Sequence, residues 1–217
     1  DCVEVANKYY GVSLSKITLQ PLGTDTILFH PLGSEKDKLS REEIRKNLGL
    51  QTNDILCIYT GRFSNDKDPL ILAKAVDKLC QNGYNFFSLF IGEGIQKSEI
   101  ENQANAITLE FMRHVELADY YRASDIGVWP RQESMSMLDA TSTGLPIIVS
   151  NTIGEINRVD GNGFVYIEGN VDDLANKILK LSDKKLRKTM GMLGIQKMKD
   201  NYSWLKVAAN IENDYLS

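Results

Sequence analysis

Arg62 and Lys67 lie at the two ends of a short polar loop, in the stretch GRFSNDK at 61–67. An apolar run at 55–61 precedes the loop and an apolar-periodic segment near 69–82 follows it, so the loop joins a predicted strand to a predicted helix. A helix N-terminus favours an anion through its main-chain N–H groups and its dipole. Two cations beside it suit a diphosphate. On this stretch alone, a solvated pair of surface cations is an equally good interpretation.

Two carboxylates lie near a second predicted helix start, in the stretch WPRQESMSMLDATSTGLPIIVS at 129–150. Glu133 falls in the loop before a helix predicted at 134–143, and Asp139 falls inside that helix. Carboxylates in such positions can accept hydrogen bonds from sugar or ribose hydroxyls. For Glu133, a charge that favours the helix dipole is the alternative interpretation. The unpaired N–H donors of this helix start are expected at Ser134, Met135 and Ser136.

Two further stretches carry weaker signals. FIGEGIQ at 90–96 runs from an apolar segment into Gly92 and Gly94, which would let a ligand approach the backbone closely, although a lone Gly-x-Gly is weak evidence. Arg113, His114 and Val115 follow another predicted strand, and the main chain there is expected to read the edge of a nucleobase. A surface histidine with no role is the commoner alternative for His114.

Composition excludes several function classes. The net charge of −4 over 217 residues argues against a protein that binds nucleic acid by neutralising phosphates. Three cysteines at long spacings (Cys2, Cys57 and Cys80) predict buried thiols in a reducing, cytoplasmic setting. Because the chain has only two histidines, far apart in sequence, we do not expect a histidine-based metal centre. The chain begins without methionine, so we expect it to be part of a longer protein.

Apolar runs alternate with helical segments through most of the chain. Strands are predicted at 55–61, 86–92, 107–112, 125–130, 146–150 and 164–167, and helices near 69–82, 96–103, 116–124 and 134–143. This alternation predicts an α/β fold, a Rossmann-like parallel sheet with helices on both faces. Ligands bind such sheets at the carboxyl ends of the strands, where Gly61, Gly92 and Pro130 fall.

The two ends of the chain carry further predicted elements. We predict a short helix at 1–10, a strand at 16–23 and three helices within 171–216. Ser40, followed by Glu43, has the capping-box spacing of a helix start. Cations of the last helices are expected on a solvated face, and contact with an anionic membrane is the alternative. These cations are Lys177, Lys180, Lys184, Lys185, Arg187, Lys188, Lys197, Lys199 and Lys206.

Together these stretches resemble the retaining GT-B glycosyltransferases of the glycosyl transferases group 1 family, in their C-terminal nucleotide-sugar-binding domain. Seven stretches match the motifs of that family in the same order. They are PLGTDTILFHP, GRFSNDK, LFIGEGI, LADYYRASDIGVWP, LDATSTGLPIIVS, GNGFVYIEGNVDDLANKI and NYSWLKVAANIENDY.

The resemblance implies a division of the chain into three parts. Residues 1–21 would be the tail of an N-terminal domain and an interdomain segment, 22–201 the nucleotide-sugar-binding domain, and 202–217 a crossover helix. The N-terminal, acceptor-binding domain would be a missing partner. Neither a cofactor nor a metal would be required, because cations of the protein would hold the diphosphate of the donor.

The resemblance also implies roles for individual residues. Arg62 and Lys67 would grip the diphosphate and, with Glu133, act in catalysis. Glu133 and Asp139 would replace the two glutamates of the family, one on the sugar hydroxyls and the other on the ribose hydroxyls. Five residues separate these two acids where the family has seven, and Asp139 is one methylene shorter. The donor-binding set would be completed by Gly61, Gly92, Gly94, His114, Val115, Ser134, Met135 and Ser136.

The activity implied is transfer of a sugar from a nucleoside-diphosphate sugar to a saccharide or lipid-linked acceptor, with retention, in polysaccharide or glycolipid biosynthesis. Within enzymes, a nucleotide-sugar 2-epimerase on the same scaffold is the alternative. From another class, a non-catalytic nucleotide-binding domain remains open. The partner common to all three is a nucleotide or nucleotide sugar at the carboxyl edge of the sheet.

Overall fold

Six parallel strands form the centre of the structure, a computed structural model that describes residues 2–216. The strands are β1 (Ile55–Thr60), β2 (Phe86–Ile91), β3 (Ala106–Leu109), β4 (Ile126–Trp129), β5 (Ile147–Ser150) and β6 (Gly163–Tyr166). They lie in the order β3-β2-β1-β4-β5-β6, and every neighbouring pair is parallel. The predicted Rossmann-like α/β fold is therefore confirmed.

Helices surround the sheet close to the predicted positions. They are α1 (Cys2–Tyr10), α2 (Glu35–Asn47), α3 (Leu70–Gln81), α4 (Lys97–Glu101), α5 (Leu117–Ala123), α6 (Met135–Ser142), α7 (Val171–Lys180), α8 (Lys184–Lys197) and α9 (Trp204–Leu216). A π-helical turn, Met198–Tyr202, joins the last two. Strands β4 and β5 are buried along their whole length, because a parallel sheet is covered on both faces.

The chain changes direction across the sheet at β1. It runs outward from β1 through β2 to β3, then returns to place β4 on the other side of β1. A crevice opens outside the carboxyl ends of the strands at such a switch point, and ligands of this fold class bind there. The loops after β1 and β4 therefore border the expected ligand site.

The strand predicted at 16–23 is wrong. A 3₁₀ turn occupies Leu14–Lys16, and the residues after it are irregular up to an isolated bridge between Thr24 and Ser203. Leu19 and Leu22 remain exposed. The apolar alternation of this segment suits a strand, but a strand forms only where a sheet edge is present to pair with it.

The helix start predicted at Ser40 is also wrong, because α2 begins at Glu35. Ser34 caps it, since its Oγ accepts a hydrogen bond from the Asp37 N–H at 3.1 Å and its own N–H donates to the Asp37 carboxylate at 2.8 Å. Hydrogen bonds from the side chain and the backbone N–H of Ser34 to the Asp37 carboxylate lower the pKa of Asp37 to about 2. The same capping-box spacing thus occurs earlier in the chain, with aspartate in place of the usual glutamate.

The final helix returns to the segment that precedes the sheet. Thr24 donates its N–H to the Tyr202 carbonyl at 2.7 Å and accepts the Trp204 N–H at 3.3 Å. Gly23 allows this contact, because a Cβ there would lie 2.6 Å from the indole of Trp204. The segment before residue 25 and the start of α9 therefore form one unit, while the domain boundaries after residues 21 and 201 stay predictions.

Two of the tail cations, Lys197 and Arg187, are bonded into the fold. Lys197 donates to the Asn157 and Asp160 carbonyls at 2.7 and 2.6 Å, and burial lowers its pKa. The Arg187 guanidinium donates to the Leu181 carbonyl at 2.5 Å. Such cations belong to the packing of α8 rather than to an open basic face.

Candidate functional site

The loops after β1 and β2 form the floor of the site by direct backbone contact. Gly61 donates its N–H to the Ile91 carbonyl at 3.1 Å. Gly92 has a φ of +146°, and a Cβ there would lie 2.1 Å from the Gly61 carbonyl oxygen. A Cβ on Gly94 would similarly lie 2.4 Å from the Phe63 carbonyl oxygen. The close approach that these glycines permit is therefore, in the first place, an approach of one loop to another.

A cleft of about 470 Å³ lies above this floor. Five of the predicted site residues line it, namely Gly61, Arg62, Gly92, Ser134 and Ser136. Phe111 and Met112 also line it. Sequence reasoning placed them at the end of the strand predicted at 107–112 and missed them as site residues. Phe111 is 80% exposed, so an aromatic face is presented at the β3 end of the cleft.

The guanidinium of Arg62 is largely open to solvent. Its side chain is 76% exposed, and the carboxylate of Asp66 lies 3.7 Å away. The backbone beneath it is fixed, because the Tyr59 hydroxyl donates to the Arg62 carbonyl at 2.9 Å. A fixed backbone with a weakly paired cation leaves the guanidinium able to meet an anion in the cleft.

Lys67 and Arg131 tie the loop after β1 to the loop after β4. The Lys67 Nζ donates to the Glu133 carbonyl at 3.1 Å, and Arg131 Nη1 donates to the Asn65 carbonyl at 2.9 Å. Arg131 Nε also pairs with Glu168 at 2.9 Å. Partial burial lowers the pKa of Lys67. Its charge is therefore less hydrated than that of a surface lysine.

The carboxylate of Glu133 points toward the loop after β5. Its Oε2 pairs with Arg158 Nη1 at 2.8 Å, and its Oε1 accepts the Glu155 N–H at 2.8 Å. The side chain is 29% exposed. Because each carboxylate oxygen has two lone pairs, both atoms keep capacity for one more hydrogen bond.

The first turn of α6 is partly capped from within. The Ser134 Oγ accepts the Ser136 N–H at 3.4 Å, and the Ser134 N–H points to the Met137 sulfur at 3.4 Å. The Trp129 Nε1–H donates to the Ser136 Oγ at 3.0 Å. Two of the three predicted free N–H donors thus have internal partners, and Met135 is the exposed residue between them.

Asp139 is buried, and both its oxygens are bonded. Oδ1 accepts the Thr24 hydroxyl at 2.6 Å, while Oδ2 lies 2.8 Å from His114 Nε2. Burial raises the pKa of Asp139, and these two bonds oppose the rise. The imidazole of His114 also packs on Phe29, with ring centroids 4.8 Å apart. Sequence reasoning proposed Asp139 and His114 separately, and it missed Thr24, which lies 115 positions from Asp139.

The segment expected to read a nucleobase is folded on itself. His114–Glu116 forms a 3₁₀ turn. The N–H of Arg113 donates to the Glu116 carboxylate at 2.9 Å, and its carbonyl accepts the Glu116 N–H at 2.9 Å. Val115 lines a separate cavity beside the N-terminus of α2. The structure therefore brings His114 to Asp139 and leaves Val115 outside the cleft.

Neither a metal-binding cluster nor a membrane-spanning helix occurs in the described part of the chain. Residues 2–216 contain no group of three or more His, Cys, Asp or Glu side chains placed to hold a metal ion. No helix within them has both the length and the apolar character needed to cross a bilayer.

Curated proteins are similar in sequence to this chain over most of its length. Spore coat protein SA of Bacillus subtilis (strain 168) is 27% identical over 214 residues, covering 89% of this chain and 56% of that protein. The UDP-Gal:alpha-D-GlcNAc-diphosphoundecaprenol alpha-1,3-galactosyltransferase of Escherichia coli is 26% identical over 227 residues, covering 98% of this chain and 57% of that enzyme. The chain thus spans about half the length of the curated relatives it matches.

Solved structures share the fold. The crystal structure of Anabaena Alr3699/HepE in complex with UDP and glucose has a TM-score of 0.80 and 18% identity, covering 99% of this chain and 60% of that chain. Residues 40–197 match the family model described as glycosyl transferases group 1. That match takes in all six strands and most of the helices, and so the chain belongs to the glycosyl transferases group 1 family.

Proposed function

We propose that this chain is the donor-binding half of a retaining glycosyltransferase that takes its sugar from a nucleoside diphosphate. The observation that carries the proposal is the cleft at the switch point of the sheet, where exposed Arg62 lies beside the first turn of α6. Family membership supports the same assignment. The acceptor, a saccharide or a lipid-linked saccharide, would be held by a second domain outside this chain.

The cleft residues suggest how the donor lies along the edge of the sheet. Phe111 offers an apolar face for the base at the β3 end. The diphosphate would meet Arg62 and Lys67 in the middle, near the N-terminus of α6. The sugar would then extend toward Glu133 at the β5 end, where Arg158 and the Glu155 N–H fix the carboxylate. Base, diphosphate and sugar would thus follow the strand order from β3 to β5.

In this arrangement the chain would act mainly through charge. As the bond at the anomeric carbon breaks, negative charge grows on the leaving diphosphate and positive charge grows on the sugar. Arg62 can make two parallel hydrogen bonds to a phosphate, while Lys67 acts as a point charge with reduced hydration. Both would stabilise the transition state more than the bound donor.

Glu133 would stabilise the opposite charge. Its pairing with Arg158 orients the carboxylate, and each oxygen can still accept a hydroxyl of the sugar. The shortened spacing to Asp139 leaves Glu133 on the loop before α6, so it can turn toward the β5 side. Arg131 would not take this role, because a guanidinium is positively charged and only donates hydrogen bonds.

Titration of the purified chain with nucleoside diphosphates and their sugars tests the proposal. The chain should bind one of UDP, GDP, CDP or ADP, and the ligand should raise its melting temperature, since it binds only the folded state. It should transfer no sugar without an acceptor domain. Binding of none of the four by a folded chain would contradict the proposal, as would sugar transfer by these 217 residues alone. Conversion of a free sugar nucleotide to its 2-epimer would favour the epimerase instead.

A further inference from the structure

We propose that the imidazole of His114, and not the carboxylate of Asp139, contacts the ribose of the donor. Asp139 is then a positioning residue that acts through His114. This inference rests on the proposed function, and it reassigns one contact that the family resemblance would give to the second acid. It follows from how each side chain is bonded and exposed.

Asp139 has no free face toward the cleft. Its residue is 2% exposed, and its two oxygens are bonded to the Thr24 hydroxyl at 2.6 Å and to His114 Nε2 at 2.8 Å. Each oxygen keeps a lone pair, but a carboxylate this deeply buried could reach a ribose hydroxyl only if the side chains that cover it moved and these bonds were disturbed. A buried polar atom left without a partner is costly, so the existing pair is the stable arrangement.

His114 has the opposite character. Its side chain is 61% exposed, yet the ring is held on two sides, by Asp139 at Nε2 and by the ring of Phe29. A ring that is exposed but held in place loses little conformational freedom when it binds a ligand. His114 lies in the short turn between Met112 and Leu117, which both line the cleft.

The bond to Asp139 also decides what His114 can do. An ionised carboxylate only accepts, so a neutral imidazole paired with it donates its Nε2–H and keeps its lone pair at Nδ1. An acceptor at Nδ1 can receive a hydrogen bond from a ribose hydroxyl. Asp139 thus fixes both the ring orientation and the tautomer, as carboxylates do for histidines in other sites.

The position along the cleft points to the ribose rather than to the transferred sugar. His114 follows Phe111 and Met112, which line the cleft beside β2 and β3. Glu133 and Arg158, in contrast, lie on the β5 side. With the base at Phe111 and the sugar at Glu133, the group nearest His114 is the ribose.

A cycle that varies both ligand and protein tests this contact. The probes are the tightest-binding of UDP, GDP, CDP and ADP and its 2′,3′-dideoxy analogue, and affinities are measured by calorimetry. In the unaltered chain, loss of the hydroxyls should weaken binding roughly fivefold to tenfold, as expected for a neutral hydrogen bond. In His114→Ala the two probes should bind equally. His30→Ala, which removes the other histidine of the chain, should behave as the unaltered chain does.

Asp139→Asn should reduce the difference between the two probes, and the double variant should bind the ribose probe no more weakly than His114→Ala alone. Independent contacts would instead give multiplying losses. With only two histidines in the chain, nitrogen NMR can follow the ring of His114 directly. We expect its Nδ1 resonance to move with the ribose probe but not with the dideoxy probe, and Asp139→Asn to change the tautomer balance.

Three results would overturn the inference. One is a hydroxyl preference that survives in His114→Ala. Another is a double variant whose loss of affinity equals the product of the two single losses. The third is a His114 Nδ1 resonance that shifts equally with the ribose probe and the dideoxy probe. A folded chain that binds none of the four diphosphates is a different outcome, because it removes the proposed function and this inference together.

Discussion

The loop after β1 and the first turns of α6 border the same cleft, but they differ in how far their charges are already bonded. Arg62 is 76% exposed and only loosely paired with Asp66. Asp139 is buried, with a partner on each oxygen. The guanidinium of Arg62 can thus bind a ligand, whereas both carboxylate oxygens of Asp139 are already hydrogen-bonded within the protein. Chemistry inferred from residue type alone treats the two alike, and the structure separates them.

This difference implies different consequences for substitution. An exposed ion pair such as Arg62–Asp66 contributes little to stability, so replacement of Arg62 should change ligand binding and leave the fold intact. Replacement of Asp139 removes an acceptor from two hydrogen bonds, one of them buried, and should alter both. The predictions below test this separation, beginning with the largest effect.

Gly92→Ala should have the largest effect, because it separates the two loops that form the cleft floor. A Cβ would lie 2.1 Å from the Gly61 carbonyl oxygen at a φ of +146°. The clash and the backbone strain together should cost roughly 2–5 kcal/mol of unfolding free energy. Urea denaturation measures the loss, and calorimetry should show loss of nucleotide binding.

Gly83→Ala is the matched control for Gly92→Ala. Gly83 also has a positive φ, of +83°, but nothing lies within 4 Å of its Cβ position. The variant should lose only the unfolding free energy that comes from backbone strain, about 1–2 kcal/mol, and it should keep its nucleotide affinity. Equal losses in the two variants would mean that the loop contact at Gly92 contributes nothing.

Arg62→Ala and Lys67→Ala should each weaken nucleoside-diphosphate binding by about 1.5–3 kcal/mol, the range for hydrogen bonds to charged groups. The melting temperature of Arg62→Ala should stay unchanged. Because burial lowers the pKa of Lys67, affinity should fall at alkaline pH earlier than for an ordinary lysine, as the charged form is lost. Unchanged affinity in both variants would show that the two cations are solvated surface residues and do not bind the diphosphate. Lys185→Ala, outside the cleft, is the control.

Glu133→Gln and Arg158→Met should share one effect in the longer protein that carries an acceptor domain. Both remove the oriented carboxylate, so both should lower kcat by about tenfold or more while nucleotide affinity is kept, the pattern of an interaction made in the transition state. Steady-state kinetics and calorimetry measure the two quantities. A silent Glu133→Gln beside a severe Arg131→Ala would show that Arg131 serves the donor instead.

Asp37→Asn should have the smallest effect on the ligand, namely none, and it shows what a purely structural acid does. The pKa of Asp37 is about 2 in the folded chain and near 3.8 ordinarily, so its contribution is present above pH 4 and lost as pH falls toward 2. That contribution is at most about 2 kcal/mol. Unfolding free energies from pH 7 to pH 2 should fall less steeply in the variant.

Local patterns in the sequence were enough for the sheet and its edge. Apolar runs placed all six strands, and the stretches that follow three of them supplied five predicted residues that line the cleft. Partners distant in sequence could not be read in the same way. Thr24 meets Asp139, and Arg158 meets Glu133, only because the sheet brings separate loops to one edge. The strand at 16–23 was wrong for a similar reason, since no sheet edge is present to pair with it. The helix start at Ser40 was wrong because the same capping spacing also occurs at Ser34.

The most direct test of the central claim compares a nucleoside with its diphosphate in the unaltered chain and in Arg62→Ala. If the exposed cation is reserved for the diphosphate, calorimetry should show that the unaltered chain prefers the diphosphate by at least about tenfold, the value of one charge-assisted bond. Arg62→Ala should lower that preference by about tenfold or more, while its affinity for the nucleoside stays the same. The same diphosphate preference in both proteins would contradict the account.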